Sequence, residues 1–510
     1  MPSGLAASNP LSPRNRSLVT IGIMMGLFLA AIEQTVVATA MPTVVASLGG
    51  LNNYSWVFSA YLLTFTVSVP MWGRLSDIYG RRNLYLISIG LFILGSAMAG
   101  QARSMNFLIM SRALQGVGGG GVFPIGFTVV GEIFSLQERA RIQGLFSGVW
   151  GLASITGPLV GGLLTDLLSW RWVFYVIVPF GLAAGALIGS YLTEPPHLET
   201  QRSSIDYRGA AALTASMTSL LLALIQVGKQ GSIAEPELLA LLGASVVLLI
   251  VFLRLERHAE EPLLPVSLFQ NPVFRVCSGI GFLAGMGLFG STSFIPLYVQ
   301  GVLFGSATRA GSALTPLMLS WVVFSIASGR LILRLGYRPV VITGMVFFAA
   351  GFLGLSRQGV ESAFGDLLPW MAVLGVGMGL SMVAIMLAVQ NTVPRRLLGT
   401  ATSAQLFFRT IGGTVGVAVM GSVMGQRMIA NLEGTTDAAF VGLARNPDSI
   451  VHETTRRALS PEAVTWLQGA LADSLHGVFI TGILIGALAV LLSLAFPAGS
   501  PEELASRYAK

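Results

Sequence analysis

The chain has 510 residues, 53% of them hydrophobic and only 10% charged, whereas a soluble globular domain carries about 25% charged residues. That excludes a soluble protein and points to an all-α integral membrane protein, with 61 glycines suited to close helix contacts in lipid. The net charge of +7 is no nucleic-acid footprint, because the basic residues stand singly or in pairs between apolar segments, as topology signals do.

Hydropathy predicts about fourteen spans, at 17–41, 55–73, 84–102, 106–131, 141–163, 171–192, 209–228, 237–257, 273–299, 311–334, 339–357, 366–390, 400–425 and 476–497. The polar lead 1–16 carries Arg14 and Arg16. It is expected in the cytoplasm, since the first apolar stretch is too long for a signal peptide and lacks a small-residue cleavage pattern. The cytoplasmic segments then carry most of the arginines, and the even count places both termini inside by the positive-inside rule.

The first span holds Leu29 to Pro42, LAAIEQTVVATAMP, in which Glu33 is the only charge between Leu18 and Met41. A charge at the bilayer centre costs roughly 2.5 to 3.5 kcal/mol on insertion scales, so such residues usually face a protein interior or a cavity. Burial disfavours the charged form, which makes Glu33 a candidate proton carrier; the plainer alternative is a neutral, hydrogen-bonded core glutamate. Gln34 beside it and Trp56 in the second span are candidate cavity residues by type.

After the second span comes Gly73-Arg74-Leu75-Ser76-Asp77-Ile78-Tyr79-Gly80-Arg81-Arg82, a tight turn with glycines at both ends and an acid among arginines. Asp77 near a helix N-terminus would be favoured by the dipole, and pairing with Arg74 or Arg81 would lock adjacent helices in one state. A gating latch is the functional reading and a topology-setting basic loop the plain one. The fourth span holds Arg112-Ala113-Leu114-Gln115, followed by the glycine-rich run 116–121. Gly116, Gly118 and Gly121 satisfy G-x-G-x-x-G, but no strand precedes them and the dinucleotide reading fails. Arg112 is instead a buried or snorkelling cation, suited to balance a proton site or to anchor the span. In the fifth span, Gly157-Pro158 with Gly161-Gly162 combines a close-packing spacing with a proline that permits a kink.

The spans at 209–228 and 237–257 sit between polar linkers. The ninth span holds the lone Cys277 as a packing residue and Phe289, Phe294 and Tyr298 as cavity candidates. Gly329-Arg330-Leu331 through Gly336-Tyr337-Arg338 repeats the frame of the 73–82 turn, which argues for two homologous six-span bundles with two extra spans between them. The expected organisation is a cytoplasmic tail 1–16, a bundle 17–192, linkers with the extra pair 193–270, a bundle 271–497 with a long outer loop 426–475, and a tail 498–510; the loop is read either as solvated or as holding helix-compatible pieces, such as Pro461 to Leu471, on the bundle mouth or membrane surface. In the thirteenth span Gln405 and Arg409 stand on a face with Gly412, Gly413 and Gly416; both, like Gln115, are candidate cavity residues, with a structural role the alternative for Arg409. No zinc motif, P-loop or clustered catalytic group appears, so an enzyme such as a membrane transferase is disfavoured, and no metal or cofactor is expected.

These motifs resemble the major facilitator superfamily, and within it the fourteen-span drug:proton antiporters related to EmrB and QacA. The 73–82 turn resembles the superfamily's loop signature, Arg112 to Gly121 its fourth-span signature, Gly157 to Gly162 the antiporter signature, and Ile32 to Pro42 the first-span signature of the fourteen-span group. Glu33 stands where many relatives have Asp, Ala38 where Asn is common, and Ile78 where a basic residue is frequent. The resemblance implies a major facilitator fold, with Glu33 and Arg112 as the coupling pair. It also implies that Asp77 and Arg81 form the gating network with Gly73, Arg74 and Gly80, and that Gly157-Pro158 favours antiport. The expected function is export of hydrophobic or cationic small molecules from the cell membrane, driven by the proton gradient through alternating access. The alternative is an exporter or flippase of an amphipathic lipid. Bilayer, substrate and protons are the expected partners, and nucleic acid is not.

Overall fold

The computed structural model describes residues 11–48, 54–193, 207–230, 236–259, 262, 264–305, 307–431 and 460–508. Among these, every regular element is helical, as lipid demands of a chain that must satisfy its backbone polar groups within each segment. In chain order they are α1 (Pro13–Leu48), α2 (Tyr54–Tyr79), α3 (Arg81–Gly100), α4 (Met105–Ile133), α5 (Leu136–Leu167), α6 (Trp172–Tyr175), α7 (Ile177–Tyr191), α8 (Tyr207–Gln230) and α9 (Pro236–His258). After these come α10 (Pro272–Leu297), α11 (Ala307–Ser312), α12 (Thr315–Leu335), α13 (Tyr337–Leu355), α14 (Phe364–Thr392), α15 (Leu398–Ala430), α16 (Pro461–Leu494) and α17 (Pro501–Tyr508). Taking α6 and α7 as one span, 11 helices among the described residues are long and apolar enough to cross a membrane. The helices α2, α5 and α8, of 26, 32 and 24 residues, stand where the hydropathy reading expects the remaining spans.

Helix ends follow local chemistry. Ser104 accepts the Phe107 amide at the start of α4. Asn271 accepts the Val273 amide at 2.9 Å, with Pro272 in the first turn of α10, where its missing N–H costs nothing. Two expected boundaries need correction. The first span was expected to end at Met41, but α1 runs on through Pro42 to Leu48. The outer loop expected over 426–475 is helical at both described margins, because α15 reaches Ala430 and α16 begins at Pro461. Ser460 caps that start by accepting the Ala463 amide at 3.2 Å, and Gln468 ties the added turns to the segment after α10 by donating to the Val302 carbonyl at 2.7 Å. Residues 432–459 of that loop lie outside the described residues.

One set of helices packs around α4, with α2 and α3 against it and α1, α5 and α7 joined to them. A second packs around α14 and α10, with α12, α13, α15 and α16. The glycine run of α4 explains the first: a Cβ at Gly118 would lie 2.6 Å from the Ser88 carbonyl oxygen of α3, and one at Gly116 would meet the Tyr61 carbonyl of α2. The two sets touch where α5 lies on α12 and where α2 and α4 lie on α15. The α8–α9 pair is joined by the Ser216 hydroxyl donating to the Ser245 carbonyl at 2.8 Å. It rests on α2 and α15 through α8, leaving α9 with an exposed apolar face that includes Val246, Val247 and Ile250.

The sequence repeat is also a backbone repeat. Gly80 between α2 and α3 has φ 91° and ψ 153°, and Gly336 between α12 and α13 has φ 81° and ψ 176°. Both dihedral pairs fall in a region essentially reserved for glycine, so the same turn is built twice.

Candidate functional site

Glu33 of α1 and Arg112 of α4 meet in the interior, their side chains 0% and 1% exposed. Arg112 Nη1 donates to Glu33 Oε1 and, at 2.6 Å, to Gln115 Oε1, while Nε donates to the Val57 carbonyl at 3.2 Å. The Tyr61 ring lies 4.4 Å below the guanidinium. Two ions in a low-dielectric interior are stable only when mutual attraction and further hydrogen bonds offset their lost hydration, and each of these contacts serves that end. Glu33 Oε2 and the Gln115 amide nitrogen are buried without a hydrogen-bond partner among the described residues. The carboxylate therefore keeps one oxygen uncommitted, which gives it a place to receive a proton.

A second cluster joins the two helix sets at one end. Asp77 of α2 caps the N-terminus of α15: Oδ1 accepts the Gly399 amide at 2.9 Å, and Oδ2 accepts the Thr400 amide and hydroxyl at 2.7 Å each. The positive end of a helix dipole favours a carboxylate there. Arg81 Nη2 pairs with Asp77 Oδ1 at 2.6 Å and with Glu132 Oε1 at 2.9 Å, and Nη1 donates to the Ser76 carbonyl at 2.8 Å. Gly73 permits the approach, since a Cβ there would strike Ser403 and come within 2.9 Å of the Gly399 carbonyl oxygen. Arg74 is buried beside this cluster, with Asp77 and Glu256 among the charges acting on it. At the same end Arg16 pairs with Glu138 at 2.8 Å.

The Major Facilitator Superfamily profile matches residues 23–417. The chain belongs to the Major Facilitator Superfamily. It is 36% identical over 504 residues to the multidrug transporter protein MdtP of Bacillus subtilis (strain 168), covering 94% of this chain and 92% of that one. It is 34% identical over 483 residues to multidrug resistance protein 3 of the same organism, covering 93% and 94%. Among solved structures, the human organic anion transporter MFSD10 (TETRAN) superposes with a TM-score of 0.64 at 16% identity, over 94% of this chain and 100% of that one, a likeness that shows the fold alone. Members of the superfamily are transporters and not enzymes, and this one is a multi-pass membrane transporter of small molecules.

Other residues singled out in this major facilitator by sequence are scattered. Gln115 joins the Glu33 pair, whereas the side chains of Gln34 and Pro158 lie outside the described residues. Gly157, Gly161 and Gly162 lie along α5, which runs on to Leu167. Tyr298, expected on a cavity wall, is 1% exposed and donates to the Gly359 carbonyl at 2.9 Å. Phe294, 7% exposed, is likewise core, and just after Pro296 the chain widens into a π-turn over Tyr298–Val302. Gln405 donates to the Cys277 carbonyl at 3.1 Å, bracing α15 on α10. Trp56 and Phe289 are exposed, and Arg409 is partly exposed. Sequence reasoning missed Tyr61, Gly399, Thr400 and Glu132. The only signal for Thr400 was its place two residues after the start of a helix that follows Pro394, where amides lack intrahelical acceptors.

Proposed function

We propose that this transporter is a proton-coupled antiporter of the fourteen-span type that exports hydrophobic small molecules, cations among them, across the cell membrane. The helix sets within 17–192 and 271–497 alternate access to a central cavity, and the end bearing Asp77 and both termini face the cytoplasm. The observation that carries this reading is the Glu33–Arg112 pair, sealed from solvent with one carboxylate oxygen uncommitted. Ionised Glu33 holds Arg112. Protonation at Oε2 removes the charge, weakens that hold and frees the guanidinium to rearrange with the helices that carry it. Each proton entering supplies about 2.3 kcal/mol per 100 mV of membrane potential. Closure at the cytoplasmic end falls to Asp77, which binds α15 only while α2 and α15 are together. The relatives named as multidrug proteins support drug export over lipid export.

The test is ethidium transport in proteoliposomes under an imposed pH gradient, comparing the intact protein with Glu33→Gln. Gradient-dependent transport that disappears in the variant while ethidium binding survives is the expected result. Undiminished transport by the variant removes Glu33 from coupling.

A further inference from the structure

The interior contains a second arginine, Arg409, and no acid among the described residues meets it. Arg409 stands eleven residues after Leu398 in α15, about 16 Å along the axis at 1.5 Å per residue, well inside the spanning segment. It makes no ion pair, hydrogen bond or ring contact through its side chain among the described residues. The residue is partly exposed. Its backbone has no such freedom: a Cβ on Gly285 of α10 would strike the Arg409 carbonyl, so α10 and α15 are pressed together at that level.

The acids on helices packed against α15 are Asp77, Glu132, Asp366, Glu462 and Asp473. Asp77 is committed to Arg81 and the α15 amides, Glu132 to Arg81, and Asp473 to Arg427 at 3.6 Å. Asp366 and Glu462 occupy first turns at the opposite end. Glu33 is held by Arg112. The pair at Glu33 cancels, so among the described interior residues Arg409 is a positive charge that no acid balances, on a side chain that is partly exposed. An arginine in that position is costly unless an oxyanion meets it, and its planar fork matches a carboxylate, sulfonate or phosphate bidentately.

We propose that Arg409 binds an anionic group on the exported molecule, so that hydrophobic anions are better substrates than the cations the first-span acid suggests. Glu33, the acid a cation would seek, is 0% exposed and already held by Arg112, whereas an amphiphilic anion finds Arg409 partly exposed and without a counter-ion among the described residues. The proposal names the substrate class of the export site and rests on the export reading above.

The experiment is equilibrium binding to purified protein of radiolabelled taurocholate, a hydrophobic anion, and of ethidium, for the intact chain, Arg409→Gln and Arg409→Lys. The expected result is taurocholate binding weakened at least tenfold in R409Q and less in R409K, with ethidium bound as well as before or more tightly. Absence of taurocholate binding by the intact chain, unaltered binding in R409Q, or an equal loss for ethidium overturns the proposal. Should R409Q not fold, R409K carries the test: a fork-dependent contact weakens taurocholate alone by several-fold, and unaltered binding overturns it. Proteoliposomes separate the two readings. Binding that depends on Arg409 without gradient-driven transport of either probe defeats proton-coupled export and leaves the anion seat standing.

Discussion

Asp77 Oδ2 accepts both protons that Thr400 offers, from its amide and its hydroxyl, at 2.7 Å each. The contact spans 323 residues of sequence and ties α2 to the first turn of α15. Asp77→Asn keeps the shape but removes the charge that faces the helix dipole and Arg81, a change worth about 1 to 2 kcal/mol at a partly buried helix end. A two-state equilibrium shifts roughly tenfold for 1.4 kcal/mol, so the variant opens this end more often. Spin labels at Asn83→Cys and Arg334→Cys, in a Cys277→Ser background, should report a longer-distance population that the Asp77 protein lacks. An unchanged distance distribution removes Asp77 from gating.

Gly399 faces the same carboxylate: a Cβ there would lie 2.6 Å from Asp77 Oδ1, 2.8 Å from Ser76 Oγ and 2.9 Å from the Gly73 carbonyl oxygen. Gly399→Ala is expected to separate α2 from α15 and reduce transport about as much as D77N, because both act on one contact. The double variant should then be no worse than either single one, since residues sharing a partner are not additive. Transport rates of the two single variants and the double variant decide it, and a multiplicative loss shows two independent defects.

The buried pair makes a prediction about stability that is separate from coupling. Glu33→Ala leaves Arg112 1% exposed without its counter-ion, which costs about 3 to 5 kcal/mol. Glu33→Gln keeps an amide oxygen for the guanidinium and should cost clearly less. Tyr61→Leu removes the ring 4.4 Å from Arg112 and should cost about 1 to 2 kcal/mol, the worth of a desolvated cation–π contact. Thermal unfolding in detergent should rank the variants E33A worst, with E33Q and Y61L between it and the intact protein. Equal melting of E33A and E33Q would mean that water or a neighbour replaces the lost carboxylate.

Much of this was legible before any coordinates, and the reason is the solvent. Lipid makes a charge inside an apolar span conspicuous, so Glu33, Arg112 and Arg409 stood out by type alone, and the repeat around Gly80 and Gly336 marked its turns. Which charges pair was legible only through the family resemblance. Nothing in the spacing of Arg112 says that it meets Glu33 while Arg409 meets no acid among the described residues, because that depends on which helix faces pack. Aromatic residues were the least legible: Tyr298 and Trp56 look alike in an apolar run, yet one is core and the other exposed. Pro461 to Leu471 was legible as helix-compatible but not as the start of the last spanning helix, because its first turns are polar and a hydropathy window registers apolarity rather than helix.

The matched turns give the last prediction. Gly80 and Gly336 have φ of 91° and 81°, with ψ near extended values, and a side chain forced into such a conformation costs about 1 to 3 kcal/mol. Gly80→Ala and Gly336→Ala should therefore destabilise by similar amounts, since both strain the same kind of turn. The two sites belong to different helix sets, so their costs should add within roughly 0.5 kcal/mol. Gly90→Ala is the control: nothing lies within 4 Å of a Cβ placed there, and α3 is helical at that point, so alanine should be neutral or slightly stabilising. Chemical denaturation of the three single variants and the double variant measures all of this. A cost at Gly80 with none at Gly336 would mean that the second turn relaxes where the first cannot, and that the repeat of sequence is not a repeat of strain.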